Sequence, residues 1–287
     1  MPRLEHFFAI SLMLLASIAH AETLGTILTA HKVPTQSLPA QTLQTPIHTY
    51  ALSDNNKPFL LAYHLDDNNG DRSNNLGLVR YDATTNNLRQ TILHDLDGPC
   101  TDGDLLDISE RDGFIAINTH NNPSLGCLLI IDSDLTLRNQ LYGGLLARVS
   151  GGFLYEQSET HWFATHPLRL SVYDPHLNRT TKIYPQPNDP ARLQFSAQLR
   201  QHLPSPAWCK ANANLCDTED FTGNLGTFSV NPTNDTFKFQ ATMSADGFGE
   251  NVDQLIPDTT IEYTFKLTAG IWRQTSQHQV PTPHPAP

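Results

Sequence analysis

Two groups of side chains in this sequence have the chemistry to bind a ligand or a cation. The first is a carboxylate pair, Asp102 and Asp104, in a glycine-containing turn that follows Cys100. Carboxylate oxygens bind divalent cations and basic side chains, but aspartates are also common as ordinary turn residues. We therefore treat the pair as a candidate binding site, with turn formation as the alternative.

The second group combines histidines with an aromatic residue and a carboxylate. His161 and His166 flank Trp162, and Glu250 ends a short glycine-spaced loop further along the chain. Imidazoles bind metal ions when two or three of them converge, usually with a carboxylate. The spacing of the two histidines fits neither one face of a strand nor a helical i, i+4 pair. We therefore predict binding residues here but no metal site.

The remaining motifs argue against a resident cofactor. The loop 67–73 resembles the first half of a calcium loop, but Arg72 stands where that loop needs glycine and Leu78 where it needs glutamate. The sequence contains no G-x-S-x-G, S-x-x-K or H-E-x-x-H motif and no glycine-rich phosphate loop. The prediction is no catalytic residue and no cofactor, with calcium or another divalent cation as the alternative.

The charge balance selects among possible partners. The chain has 18 Lys and Arg against 29 Asp and Glu, which gives a net charge of -11. Nucleic acids and anionic membranes attract basic surfaces, so we exclude both as partners. A protein or a small-molecule ligand is expected instead, and a basic protein is the partner that an acidic surface attracts most strongly.

The first 21 residues have the pattern of a signal peptide. Arg3 precedes an apolar run over residues 7–18, and residues 19–21 have the small-x-small pattern of a cleavage site. The apolar run is too short to cross a bilayer, which needs about 20 apolar residues. We expect export to the periplasm or the medium, with no membrane span after the signal peptide is removed.

Export also explains the cysteines. Their number is even, four, and an exported chain with an even number is expected to form disulfides. Three pairings are possible, and we expect nearest neighbours to pair, because each bridge then closes within one local unit of the chain. The predicted disulfides are Cys100–Cys127 and Cys209–Cys216.

Repeated β-hairpins are the elements that must position these residues. Three strings, VRYDATTNNLRQTIL, LIIDSDLTLRNQLY and LSVYDPHLNRTTKIY, each place a turn between two β-favouring segments. Their turn aspartates are Asp82, Asp132 and Asp174. A fourth string, YTFKLTAGIWRQTSQ, has Lys266 in place of the aspartate, 92 residues after Asp174, which is close to two repeat lengths.

A repeat of about 40 to 50 residues that contains such hairpins is typical of propeller blades, which bury their apolar faces against one another. Over residues 47–277 the sequence resembles the β-propeller repeat proteins of the bacterial periplasm, with no particular family indicated. We predict an all-β, β-propeller-like domain of about five blades. A two-sheet sandwich with similar hairpins is the alternative architecture.

Three segments lie outside the repeats. We predict an extended lead-in over residues 22–46, with one strand through Leu24–Leu28, and a disordered, proline-rich tail over residues 278–287. Residues 189–217 are predicted to be a helical insertion stapled by the second disulfide. Asp189-Pro190 provides a helix start, and Leu193 or Phe195, Leu199 and Leu203 follow at helical spacing.

Two functions are expected, and the repeats, the acidic charge balance and the absence of catalytic motifs favour the first. The first is a non-enzymatic binding protein that acts through the loops of one face, for example a protein inhibitor or immunity protein of the periplasm. The alternative is a metal-assisted lactonase or hydrolase of the propeller type, since such enzymes hold a cation at the mouth of the channel. The candidate ligands of that cation are Asp102, Asp104, His161, His166 and Glu250.

Overall fold

The computed structural model describes residues 22–53, 58–66, 72–94, 96–101, 103–121, 125–157, 167–203, 205–211, 221–246, 248 and 252–282. Within these ranges the chain is dominated by antiparallel strands, joined by short helices. The helices are α1 (Leu24–Ala30), α2 (Ala40–Leu43), α3 (Gly98–Thr101), α4 (Pro190–His202), α5 (Pro206–Ala211) and α6 (Val252–Leu255). The strands are β1 (Ile47–Leu52), β2 (Phe59–Asp66), β3 (Arg72–Asp82), β4 (Asn87–Leu93), β5 (Asp104–Arg111), β6 (Phe114–Asn121), β7 (Leu125–Asp132), β8 (Leu137–Val149), β9 (Gly152–Gln157), β10 (Leu170–Asp174), β11 (Arg179–Tyr184), β12 (Thr222–Asn231), β13 (Thr236–Ser244), β14 (Thr259–Thr268) and β15 (Ile271–Val280).

These strands form three sheets in simple sequential order: β1 to β4, β5 to β11 and β12 to β15. The central sheet contains two meanders, because β8 pairs with β7 through residues 137–142 and with β9 through residues 143–149. The described chain therefore consists of four consecutive four-stranded units. Unit 1 is β1–β4, unit 2 is β5–β7 with the first half of β8, unit 3 is the second half of β8 with β9–β11, and unit 4 is β12–β15.

The four repeated sequence strings are the hairpins formed by the third and fourth strands of these units, as the repeat predicts. The turn role of the aspartates is confirmed. The carboxylates of Asp82, Asp132 and Asp174 each accept hydrogen bonds from two backbone amides that lie two to four residues ahead, at 2.8–3.4 Å. A carboxylate used in this way orders the turn between two strands.

The all-β class is confirmed, but about five blades are not. The described residues form four units, and none of their three sheets closes on itself. The miscount arises between Asp174 and Lys266, where α4 and α5 occupy much of the length of one repeat. Three sheets of sequential meanders also differ from the two facing sheets of a sandwich.

Apolar side chains join neighbouring units. One cluster lies between units 1 and 2, a second between units 2 and 3, and a third between units 3 and 4 together with α4. Strand β7 has an almost unbroken apolar sequence because both of its faces are buried. Leu129 and Ile131 belong to the cluster with unit 1, whereas Leu128 and Ile130 belong to the cluster with unit 3.

Helix α1 covers the outer face of unit 1, which corrects the predicted extended lead-in. The side chains of Thr23 and Thr26 form a reciprocal cap at the start of the helix. Once capped, Leu24, Ile27 and Leu28 lie on one helical face and are buried against unit 1. The strand that was predicted through Leu24–Leu28 is therefore wrong, because the cap formed by Thr23 and Thr26 starts a helix there.

The outer face of unit 4 is polar. Side chains that point away from its apolar face include Lys238, Glu262, Lys266 and Arg273, which are exposed or half-buried. Within the described ranges no core cluster joins unit 4 to unit 1. The described units therefore form a row with two different ends.

The structure describes one of the predicted disulfides completely and the beginning of the predicted tail. Cys100 and Cys127 form a disulfide that joins α3 to β7, and both residues are fully buried. Cys209 is also disulfide-bonded, while its predicted partner Cys216 lies outside the described residues. Strand β15 continues to Val280, so the predicted tail begins as ordered strand.

The predicted signal peptide lies outside the described residues, and none of the described helices has the length and apolarity to cross a membrane.

Candidate ligand-binding groove

Only one of the six predicted binding residues is described by the structure. Asp104 is exposed at the start of β5, directly across from His120 of β6. Its five companions lie outside the described residues, namely Asp102, His161, Trp162, His166 and Glu250. Their convergence stays a prediction. Over the residues that are described, no group of three or more His, Cys, Asp or Glu side chains is arranged to hold a metal ion.

The turn before Asp104 is anchored to unit 1 by a buried histidine. His64 in β2 is fully buried, and its Nε2 lies 3.2 Å from the carbonyl oxygen of Gly103. The disulfide between Cys100 and Cys127 fixes the chain just before this turn. Asp104 therefore projects from a turn that is fixed to the body at two points.

A second candidate site is a groove that is lined by basic side chains and lies beside unit 3. It has a volume of about 480 Å³ and lies between β11, the loop 185–189 and α4. Its described lining includes three cations: Arg169 just before β10, Lys182 in β11 and Arg192 in α4. In a chain with a net charge of -11, this concentration of basic side chains sets the groove apart.

The wall formed by α4 follows from its sequence. Asp189 is the N-cap, and its carboxylate accepts hydrogen bonds from the amides of Ala191 at 3.0 Å and Arg192 at 3.4 Å. The predicted helix start is thus confirmed. Of the two alternatives for the first core position, Phe195 is buried, whereas Leu193 is 56% exposed beside the groove.

Asp189 also ties α4 to unit 4. Its side chain accepts a hydrogen bond from the Tyr263 hydroxyl at 2.5 Å and another from the Gln277 side-chain amide at 3.4 Å. Burial raises the pKa of Tyr263, so the hydroxyl stays protonated and acts as a donor. Since Asp189 is only 3% exposed, its carboxylate is committed to these internal bonds.

The other walls are also held by specific contacts. The Arg192 guanidinium lies over the rings of Phe221, at 4.6 Å, and Tyr184, at 5.4 Å. Such cation–π contacts fix the plane of the guanidinium. The side chain of Gln186 donates hydrogen bonds to the carbonyl oxygens of Ile183 at 2.5 Å and Lys182 at 3.3 Å, which orders the loop. Arg192 also has other partners within the chain.

This arrangement is suited to binding an anionic group. Guanidinium and ammonium groups donate strong hydrogen bonds to carboxylates and phosphates. The acidic residue of the groove lining, Asp189, is buried and bonded internally, so it is poorly placed to exchange a proton with a ligand. The groove can therefore hold and orient a ligand, and its described lining offers no pair of groups for acid–base chemistry.

Sequence reasoning missed this groove, although a signal was present. The stretch 167–203 contains five basic and two acidic residues, a net charge of +3 within a chain of -11. The basic residues are Arg169, Arg179, Lys182, Arg192 and Arg200, and the acidic ones are Asp174 and Asp189. A local reversal of charge of this kind indicates a partner of opposite sign.

Comparison with known proteins shows only remote similarity. No family model and no curated protein matches the chain. Among solved structures, a GH43 β-1,3-galactosidase with galactodeoxynojirimycin is 11% identical, over 79% of this chain and 73% of that chain, with a TM-score of 0.31. A mutant of the Synechocystis apocarotenoid oxygenase is 9% identical over 81% and 50% of the two chains, with a TM-score of 0.28. A member of the DUF4221 family from Bacteroides vulgatus is 9% identical over 81% of each chain, with a TM-score of 0.24. At such scores these similarities establish neither a family nor an activity for this chain.

Proposed function

We propose that this chain is an exported, β-propeller-like binding protein that acts without catalysis and holds an anionic ligand in the groove beside α4. One observation carries the proposal: Arg169, Lys182 and Arg192 line one groove of about 480 Å³ on a chain that is otherwise acidic. Export rests on the sequence pattern of residues 1–21.

The rigidity of the walls supports binding over an incidental clustering of charge. Helix α4 is capped by Asp189 and tied to unit 4 through Tyr263, and the loop opposite is ordered by Gln186. A preorganised site spends less of its binding energy on ordering side chains. The volume of the groove lies in the range of small-molecule sites.

The inhibitor version of this proposal needs a basic protein partner, which would be attracted to an acidic surface instead. The outer edges of units 2 and 3 offer a recess of about 660 Å³ lined by Asp112, Asp132 and Asp134. Each of these carboxylates already pairs with an arginine of the chain. A cation that bound there would compete with these existing ion pairs.

The proposal is tested by calorimetric binding on the chain from residue 22 onwards. Citrate and inorganic pyrophosphate serve as anionic probes, glucose as a neutral probe and spermidine as a cationic probe. We expect the anions alone to bind, and to bind more weakly as salt rises, because salt screens charge–charge attraction. In Lys182→Glu combined with Arg169→Glu, the affinity should fall by at least about tenfold, since opposite charges become like charges.

The matched control is Lys266→Glu, which reverses a cation on the polar face of unit 4, away from the groove. It should keep the wild-type affinity. Equal loss in the control would show that only the overall charge matters, and failure of every anionic probe to bind would overturn the proposal. Circular dichroism of each variant separates lost binding from lost folding.

A further inference from the structure

Arg148 in the second half of β8 is a cation that the groove does not use. Its Nη2 donates hydrogen bonds to the carbonyl oxygen of Ser109 at 2.6 Å and to the Ser109 hydroxyl at 2.8 Å. The guanidinium carbon lies 4.6 Å from the centre of the Phe153 ring. Since Ser109 belongs to unit 2 and Phe153 to unit 3, this side chain bridges two units.

Among the described residues, only the Nη2 group of this side chain has a hydrogen-bond acceptor. A guanidinium has five N–H groups, and the bonds to Ser109 use only those of Nη2. Among the described residues Arg148 forms no ion pair. Two nearby carboxylates are bound elsewhere: Asp112 pairs with Arg111 at 3.3 Å, and Glu110 pairs with an arginine of β3 at 2.7 Å.

The electrostatic setting of Arg148 favours a bound anion. Burial, followed by the charge of Arg111, lowers the pKa of Arg148 to about 10. The through-space influence of Asp107, Asp112 and Glu110 only partly opposes this shift. A partly desolvated cation beside a second cation is stabilised when a negative charge comes between them.

A cavity of about 90 Å³ lies beside these groups. Its lining includes Arg111, Asp112, Phe114, Arg148 and His176, and the rings of Phe114 and His176 meet edge to face at 4.9 Å. A water occupies about 30 Å³ in the liquid, so the space is sufficient for about three waters or one small polyatomic anion.

We propose that this cavity is a binding site for a small oxyanion, with Arg148 and Arg111 as its cationic ligands at the junction of units 2 and 3. The planar fork of a guanidinium matches two oxygens of a phosphate or a carboxylate. The carboxylate of Asp112 competes with the bound anion, because it already forms an ion pair with Arg111. The site shares no lining residue with the groove beside α4.

The test is thermal unfolding of the chain in inorganic phosphate and in sodium chloride at matched ionic strength. A ligand that binds only the folded state raises the unfolding midpoint. At a phosphate concentration 100-fold above the dissociation constant, we expect a rise of about 5 °C or more. A parallel series in acetate shows whether a carboxylate can replace the phosphate.

Three variants assign the effect to a site. Arg148→Met should lose the phosphate-dependent rise, measured against its own midpoint in chloride. Asp112→Asn should enhance the rise, since it removes the competing charge and asparagine tolerates the left-handed backbone found there, with φ of 53°. Lys182→Glu, in the groove beside α4, is combined with each of the other two and removes any share of the rise that comes from that groove.

The proposal is overturned if phosphate does not raise the midpoint of the Lys182→Glu chain, or if the rise survives when Arg148→Met is added to Lys182→Glu. A rise that Asp112→Asn leaves unchanged or reduces would also contradict it, and this variant keeps the test decisive should Arg148→Met fail to fold. A rise that is present in the wild-type chain and absent from Lys182→Glu would place the bound phosphate in the groove. That outcome would refute this site while supporting the proposed function.

Discussion

The two halves of the row are held together by different side chains. Between units 1 and 2 the core is mainly aliphatic and includes the Cys100–Cys127 disulfide. Between units 3 and 4 it is built around stacked aromatic rings. Phe237, Phe239, Tyr263 and Phe265 lie with ring centres 5.2–6.3 Å apart.

The aliphatic and aromatic cores differ because the elements that pack together in the two halves differ. Units 1 and 2 pack one regular sheet on another, and branched aliphatic side chains fill such a layer well. The core of units 3 and 4 also includes α4 and α6, and larger rings span the less regular space. The tyrosines add polar tips, one of which binds Asp189. Units 1 and 2 thus contain the buried Cys100–Cys127 disulfide, and the half formed by units 3 and 4 contains the candidate groove beside α4.

The largest predicted effect is on the aromatic core. Phe239→Ala should lower the free energy of unfolding by about 3–5 kcal/mol, because it opens a cavity at a residue that is 1% exposed and touches several rings. Guanidinium unfolding measures the loss. Leu129→Ala is the matched change in the aliphatic core, with an expected loss of about 2–4 kcal/mol. A loss below about 1.5 kcal/mol for Phe239→Ala would show that the aromatic core does not depend on this ring for its stability.

The second prediction concerns the cross-link of the aliphatic half. Replacing both Cys100 and Cys127 with alanine should lower the free energy of unfolding by about 3–4 kcal/mol, since the bridge closes a loop with a sequence separation of 27. The same replacement at Cys209 and Cys216, its predicted partner, should cost less because the loop is shorter. Equal losses would show that loop length does not determine the effect.

Third in size is the polar link between units 1 and 2. Arg80 and Glu110 form a two-point ion pair at 2.7 and 2.9 Å, with both side chains less than one fifth exposed. Glu110→Ala should destabilise the fold by about 1–3 kcal/mol, because it leaves Arg80 partly buried without its partner.

The control is the ion pair of Arg89 with Asp134, where the carboxylate is 76% exposed. Asp134→Ala should change the stability by no more than about 0.5 kcal/mol. Urea unfolding of both variants, each compared with wild type, decides the point. If the two losses were alike, burial would not govern ion-pair strength at this junction.

The smallest effect depends on pH. Burial raises the pKa of Glu156 in β9, so the folded state retains a proton that the unfolded chain has already released. Stability is therefore lost as the pH rises from the ordinary carboxyl range through the raised pKa. Glu156→Gln should be slightly more stable than wild type at pH 7 and equal to it near pH 3.

Unfolding curves at both pH values test this, with Glu262→Gln on the polar face of unit 4 as the control. A variant that is less stable than wild type at pH 7 would show that the charged carboxylate has a favourable partner.

Local patterns in the sequence predict much of the scaffold. The hairpins follow from alternating apolar residues around turns such as that of Asp132, and α4 follows from Asp189-Pro190. The number of units could not be counted, because α4 and α5 lengthen the chain between the hairpins at Asp174 and Lys266. The local excess of positive charge over residues 167–203 could have indicated an anion site, but the meeting of Arg169, Lys182 and Arg192 in one groove depends on tertiary packing.

The two unlike ends of the row have a consequence for how the molecule opens. In the described chain no last unit locks onto the first, so fraying from either end breaks one set of contacts at a time. Amide hydrogens in β6 and β7, which have neighbours on both sides, should exchange with heavy water most slowly. Those of β15 and α1 should exchange first, giving a protection gradient that falls from the middle of the chain towards its termini.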